Sequence, residues 1–205
     1  MSKLILVTGG ARSGKSGFAE LLAAHPKKPV TYIATAQVYD DEMALRVKKH
    51  QQQRPFDWGL VEEPLAVPKV LENLKDYDGV VLLDCVTLWL TNLLLANYPE
   101  TTPEGTLKDP FDYDATEKNI LEMVRKASLL AQEIKPQVIM VTNEVGQGIV
   151  PGDPLSRVYR DLAGRANRIL SEAAQRVYLV VAGYPIEIKE SGQALIQSLK
   201  PKEDE

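Results

Sequence analysis

Near its N-terminus the chain reads LILVTGGARSGKSGF, and no other stretch restricts its fold as much. Gly9 and Gly14 enclose four residues and Lys15-Ser16 follow, so the GxxxxGK[ST] spacing is complete. A leucine- and valine-rich run over residues 3–8 predicts a buried strand before it. Residues 16–24 predict a helix after it, stopped by His25-Pro26. A strand that opens through a glycine turn into a helix belongs to the α/β class. The spacing also has a mechanical purpose. The glycines let backbone N–H groups curl around a phosphate chain, Lys15 reaches the outer phosphates, and Ser16 offers a hydroxyl to Mg²⁺ at the positive end of the helix. Gly9, Gly10, Ala11, Arg12, Ser13, Gly14, Lys15 and Ser16 are therefore the candidate nucleotide cradle.

The rest of the chain repeats the alternation. Strands are expected at 29–34, 60–63, 79–84, 137–142 and 176–182. Helices are expected at 40–54, 65–74, 88–96, 113–134 and from Asp153-Pro154 to about residue 174, where Asp caps the helix and Pro fills its first turn. That pattern predicts a mostly parallel sheet with helices on both faces. A length of 205 residues suits one such domain, placed at 1–188, with 189–205 a polar, loosely held C-terminal tail. The proline-rich stretch 98–112 reads as an exposed loop.

Composition removes several function classes. A formal charge of −4 argues against a general nucleic-acid or membrane-surface binder. No apolar run is long enough for a membrane span, and the N-terminus lacks a signal-peptide pattern. The single Cys85 excludes an intramolecular disulfide framework and fits a reducing compartment, so a cytoplasmic location is expected.

Two further positions point to chemistry. Asp84 ends the apolar run GVVLLD, where a doubly wound sheet presents side chains to its ligand crevice, and a carboxylate there holds Mg²⁺ directly or through water. Capping the next helix is the competing role for Asp84, and the two are compatible. Glu42, Arg46, His50 and Arg54 recur every four residues and form one helical stripe. Cations one turn either side of His50 favour a neutral, nucleophilic imidazole, while a nearby helix C-terminus pushes the other way. Spacing alone favours an ordinary histidine on a solvated helix face. His25, beside Pro26, reads as structural.

Five motifs in order over residues 4–183 resemble one family: VTGGARSGKS, YIATAQVYDDEMALRVKKHQQQRPFDW, LLDCVTLWLTNLL, VTNEVGQGIVP and YRDLAGRANRIL. They are similar to the bifunctional adenosylcobinamide kinase / adenosylcobinamide-phosphate guanylyltransferases of cobalamin assembly. The resemblance implies a P-loop NTPase, RecA-like domain, usually a homotrimer, acting on a small-molecule corrinoid and not on nucleic acid. It implies two reactions. ATP or GTP phosphorylates the aminopropanol hydroxyl of adenosylcobinamide. GTP then gives GMP to that phosphate through a guanylylated histidine, releasing pyrophosphate and leaving adenosylcobinamide-GDP. The family's H-x-x-x-R-P pattern falls on His50, Arg54 and Pro55, which gives the arginine stripe a purpose, since a phosphoramidate needs a neutral imidazole and a neutralised α-phosphate. The resemblance carries nucleotide contacts to the cradle, to Thr35, Ala36 and Gln37, to Gln51, Gln52, Gln53 and Arg54, and to Glu62 and Asp84; Ser16 and Asp84 would hold the metal. Glu62 would accept guanine N–H donors, with the adjacent Glu63 able to take its place. Arg160 and Arg165 in RDLAGR are open to an interface, a substrate phosphate or solvent, and NEVGQGIVP to a site-covering loop or a plain connection.

Two other functions fit parts of the pattern. A plain P-loop small-molecule kinase would transfer phosphate from ATP but take no label from α-labelled GTP. A nucleotide-dependent regulatory or assembly module would hydrolyse slowly and need a protein partner, for which the chain shows no basic stripe.

Overall fold

A computed structural model describes residues 3–37, 55–100, 102 and 107–199. Seven strands form one sheet: β1 (Leu4–Thr8), β2 (Val30–Ala34), β3 (Gly59–Glu62), β4 (Val80–Asp84), β5 (Gln137–Val141), β6 (Arg176–Val181) and β7 (Tyr184–Glu187). Their order is β3-β2-β4-β5-β1-β6-β7. Every pairing is parallel except that of β7 with β6. The described helices are α1 (Lys15–Ala24), α2 (Val67–Asn73), α3 (Val86–Ala96), α4 (Tyr113–Glu133), α5 (Pro154–Ala173) and α6 (Lys189–Leu199). The predicted helix over 40–54, with the stripe that carries His50, lies outside the described residues.

The period-two geometry of the strands divides the core in two. Leu4 and Leu6, Val81 and Leu83, Val138 and Met140 point to one face, where α2, α3, α4 and α5 cover them. Ile5 and Val7, Val80 and Leu82, Ile139 and Val141 point to the other face, against Ala19 and Ala23 of α1. Strands buried on both faces read as continuous apolar runs, which is why β1, β4 and β5 stand out in the sequence. Trp89 of α3 is fully buried, and its indole N–H finds the carbonyl of Leu65 at 2.8 Å. Asp112 and Asp153 accept N–H bonds from Ala115 and Ser156 and so cap α4 and α5, the second as expected.

Among the described residues the predicted elements hold to within about two residues, and the C-terminus differs. An unexpected strand, β7, turns back along β6, and residues 189–199 of the expected loose tail form the helix α6. The turn consists of Ala182 (φ 51°) and Gly183 (φ 88°), both left-handed as a two-residue hairpin of the right twist demands. Alanine is a poor signal for that conformation, so the hairpin was not visible in the sequence. No side chain of α6 is buried, so no apolar periodicity had to be written into it.

Candidate active site

The cradle is set between the end of β1 and the start of α1, and its neighbours are backbone. Glu144 N–H donates to Gly9 O at 3.0 Å from one side, and Gly183 N–H donates to Ser13 O at 2.8 Å from the other. Glycine is required at both ends. A Cβ on Gly9 would stand 2.5 Å from the Val180 carbonyl oxygen; Gly14 has φ 93° and lies where a Cβ would meet Gly183 Cα at 3.1 Å. Lys15 is 8% exposed, and its ammonium bonds the Gly10 carbonyl at 3.1 Å. Burial lowers its pKa, while Asp84 and the Cys85 thiol across the crevice work to raise it. The hydroxyls of Thr8 and Ser13 are buried with no hydrogen-bond partner. Two orphaned buried hydroxyls at a glycine-built turn fit a site that takes a polyanion with its counter-ion.

Strand register aligns the other candidates. Val7 pairs with Val141, Val141 with Asp84, Asp84 with Ala34, and Ala34 with Glu62, so these five lie in one row across the carboxyl ends of the strands. At about 4.8 Å per strand, Asp84 is about 10 Å from the cradle strand and Glu62 about 19 Å, on the same side. One strand, β5, separates the cradle strand from the Asp84 strand. The helix after Asp84 takes its cap position on Cys85, one residue beyond Asp84. Among the described residues no three His, Cys, Asp or Glu side chains cluster to cage a metal. A Mg²⁺ ion suits the place nonetheless, since it takes one or two protein oxygens and completes its shell with water and phosphate. Ser16 and Asp84 are oxygen donors of that kind.

Thr35, Ala36 and Gln37 follow β2 at the same edge. Thr35 is fully buried, its hydroxyl bonded to the Cys85 carbonyl at 2.8 Å and to the Cys85 N–H at 3.1 Å. Its side chain is thus committed to the fold, and only its backbone is left for a ligand. Asn92 holds this segment from below, donating to the carbonyls of Thr35 and Pro64 at 2.7 and 3.1 Å. The adjacent glutamates also separate. Glu63 accepts the N–H groups of Leu65 and Ala66 at 2.9 and 2.8 Å, whereas Glu62 is exposed at the end of β3. His50, Gln51, Gln52, Gln53 and Arg54 lie outside the described residues.

A polar lattice under the crevice was not legible in the sequence. Asn143 donates to the Thr87 hydroxyl at 3.0 Å, Tyr159 to the Thr87 carbonyl at 2.9 Å, and Asn167 to the Asn143 carbonyl at 3.0 Å. Burial pushes the Tyr159 phenol up to about 12 and the Cys85 thiol up to about 11, so both are neutral structural groups at ordinary pH. Their signal in the sequence is only polar residues at positions that otherwise read as core. Beside the lattice, loop 144–152 and α5 enclose an open groove of about 520 Å³ lined by Arg160, Arg165 and Arg168. Arg165 pairs with Glu117 at 2.6 Å, Arg168 with Glu172 at 2.9 Å, and Arg160 with Asp161 at 3.3 Å.

A family model described as cobinamide kinase / cobinamide phosphate guanyltransferase matches residues 5–188. The chain belongs to that family. A bifunctional adenosylcobalamin biosynthesis protein of Escherichia coli K12 is 44% identical over 91% of this chain and 99% of its own length. Its Salmonella typhimurium counterpart is 43% identical over the same shares. A bifunctional adenosylcobalamin biosynthesis protein of Pseudomonas aeruginosa is 41% identical over 90% of this chain and 96% of its own. A solved structure from Pyrococcus horikoshii OT3 aligns with TM-score 0.50 at 11% identity, covering 91% of this chain and 86% of that one, which speaks to the fold alone. The domain is an α/β fold built on a mostly parallel seven-stranded sheet, with the GxxxxGK[ST] motif between β1 and α1.

Proposed function

We propose that the chain carries out both reactions of its family. It phosphorylates the aminopropanol hydroxyl of adenosylcobinamide with ATP or GTP, then transfers GMP from GTP to that phosphate through His50, leaving adenosylcobinamide-GDP and pyrophosphate. The observation that carries this is the row running from the cradle strand through Asp84 to Glu62. A GTP held by its outer phosphates at the cradle and by its base near Glu62 spans that row with its α-phosphate along it, and the reading requires His50 to reach that phosphate.

Each residue has a task set by its chemistry. The cradle N–H groups and Lys15 neutralise and position the outer phosphates, which is most of what phosphoryl transfer asks of a protein. The exposed Glu62 carboxylate accepts guanine N–H donors, a role that Glu63, engaged with two backbone N–H groups, is less able to fill. Neutral His50 attacks the α-phosphorus and Arg54 offsets charge there. Mg²⁺, held by Ser16 and Asp84, would supply charge neutralisation between the outer phosphates. A cytoplasmic setting, a homotrimeric assembly and the absence of a nucleic-acid partner belong to the same proposal. They draw support from the single buried cysteine, the family, and the net charge of −4. Among the described residues no helix is long and apolar enough to cross a membrane.

The deciding experiment is incubation with α-labelled GTP and Mg²⁺ without corrinoid. A labelled chain whose label is lost in acid, kept in base, and absent from His50→Ala is expected. Phosphorylation of adenosylcobinamide should largely persist in that variant. Label retained in His50→Ala, or stable to acid, would falsify the covalent role and leave a plain kinase.

A further inference from the structure

On the other side of the cradle from Asp84 and Glu62 stands the β6–β7 hairpin. Thr8 pairs with Leu179, so Val180 and Val181 run alongside the start of the cradle, and the chain then turns through Ala182 and Gly183. The turn is fastened to the phosphate site itself: Gly183 N–H bonds Ser13 O at 2.8 Å, and Gly183 Cα is the nearest atom to a Cβ built on Gly14. Val181 and Tyr184 are paired directly across the hairpin, which places both side chains on one face. Both are exposed, Val181 by 55% and Tyr184 by 77%. An aromatic ring and a branched aliphatic side chain, bare to water and adjoining a phosphate cradle, match a purine, which stacks on aromatic faces regardless of its hydrogen-bonding edge.

The chemistry of the two reactions gives this face an occupant. In guanylyl transfer a His50 nitrogen bonds the α-phosphorus, pyrophosphate leaves, and the ring proton passes to solvent. With its guanine toward Glu62, that GTP carries its α-phosphate on the Asp84 side of the cradle. In phosphorylation the acceptor oxygen bonds the γ-phosphorus as the bond to the β–γ bridging oxygen breaks. The nucleoside diphosphate leaves and the hydroxyl proton passes to solvent. Here the γ-phosphate must face the crevice beside Asp84, so the α-phosphate and base leave the cradle in the opposite direction, over the hairpin.

We propose that the Val181–Tyr184 hairpin is the base platform for the purine nucleoside triphosphate that feeds phosphorylation, so that one cradle holds triphosphates in two opposite directions. The proposal rests on the two-reaction function above and adds a second base site, one that reads shape and stacking but no base edge. It accounts for a kinase step that accepts ATP or GTP beside a transfer step that uses GTP.

The test compares the full-length parental chain, Tyr184→Ala and Tyr184→Phe. ADP binding by calorimetry, KM for ATP in adenosylcobinamide phosphorylation, and the GTP dependence of His50 labelling are measured on each. Loss of one stacked base predicts ADP affinity and KM for ATP worse by roughly five-fold or more in Tyr184→Ala. Tyr184→Phe should retain both, and His50 labelling should keep its parental GTP dependence. Unchanged ADP affinity, or an equal loss for ADP and for GTP labelling, overturns the proposal. So does a change in oligomeric mass that accounts for the loss, which would make the hairpin a subunit contact. Val181→Asp, which sets a carboxylate beside the base, probes the same face if Tyr184→Ala does not fold. A parental chain that binds ADP through Tyr184 but phosphorylates nothing removes the kinase function and this platform's assignment to it, while ADP binding through Tyr184 still stands.

Discussion

At the scale of single residues, Lys15 couples the two reactions. Its ammonium is nearly buried against the Gly10 carbonyl and is opposed across the crevice by Asp84. Lys15→Ala should abolish both phosphorylation and His50 labelling while the thermal midpoint shifts little; labelling near the parental rate would mean separate nucleotide sites. Cys85 makes the contrary case, a conspicuous residue with no chemistry to offer. Burial lifts its thiol to about 11, so at pH 8 on the order of one molecule in a thousand holds the reactive thiolate. Iodoacetamide should leave the folded chain unmodified at pH 8 and alkylate it once in denaturant. The cradle could be read from the sequence because its spacing is itself the mechanism. The commitment of Thr35 to Cys85, and the separation of Glu62 from Glu63, could not, because both depend on which segments meet across 50 residues of chain or at a helix start.

At the scale of elements, strands and helices were legible wherever burial dictates their pattern, as in the doubly buried β1, β4 and β5. Their ends were legible where a cap is a local matter, as at Asp153. The junction of β7 and α6 was not, because its logic is polar. Glu187 accepts N–H bonds from Val177, Lys189 and Glu190 at 3.1, 3.1 and 3.0 Å, tying β6 to the first turn of α6. Burial works to raise its pKa, but these donors outweigh it and hold the carboxyl below the ordinary value of 4.5. A lowered carboxyl pKa contributes stability that is complete above the unfolded value and disappears as pH falls through the folded one. Glu187→Gln should therefore melt below the parental chain at pH 7, and the gap should close as the pH is taken below 4.5. A gap independent of pH down to the acid limit would show that shape, and not charge, makes the junction.

At the scale of the molecule, alternation in the sequence implied a parallel sheet but not its order, since order depends on which edge each crossover returns to. That order is what sets the cradle between Asp84 on one side and the hairpin on the other. It also bears on where the domain ends. The family match stops at residue 188, and α6 beyond it buries no side chain. The contribution of α6 to the fold enters through its first residue, whose Lys189 ammonium donates to the Ser171 and Glu172 carbonyls at 2.8 and 2.9 Å and also to that of Ala174, closing the end of α5. We propose that the domain boundary lies there. A chain ended after Lys189 should melt within about 2 °C of the full chain and bind nucleotide equally well, because almost no apolar surface returns to water. Lys189→Ala in the full chain should cost more, roughly 1 kcal/mol for the lost charge-assisted bonds at a partly exposed helix end, or a midpoint lower by roughly 2–4 °C. If truncation proves the more damaging change, the exposed Leu195, Ile196 and Leu199 of α6 have a partner in solution, and the boundary belongs beyond them.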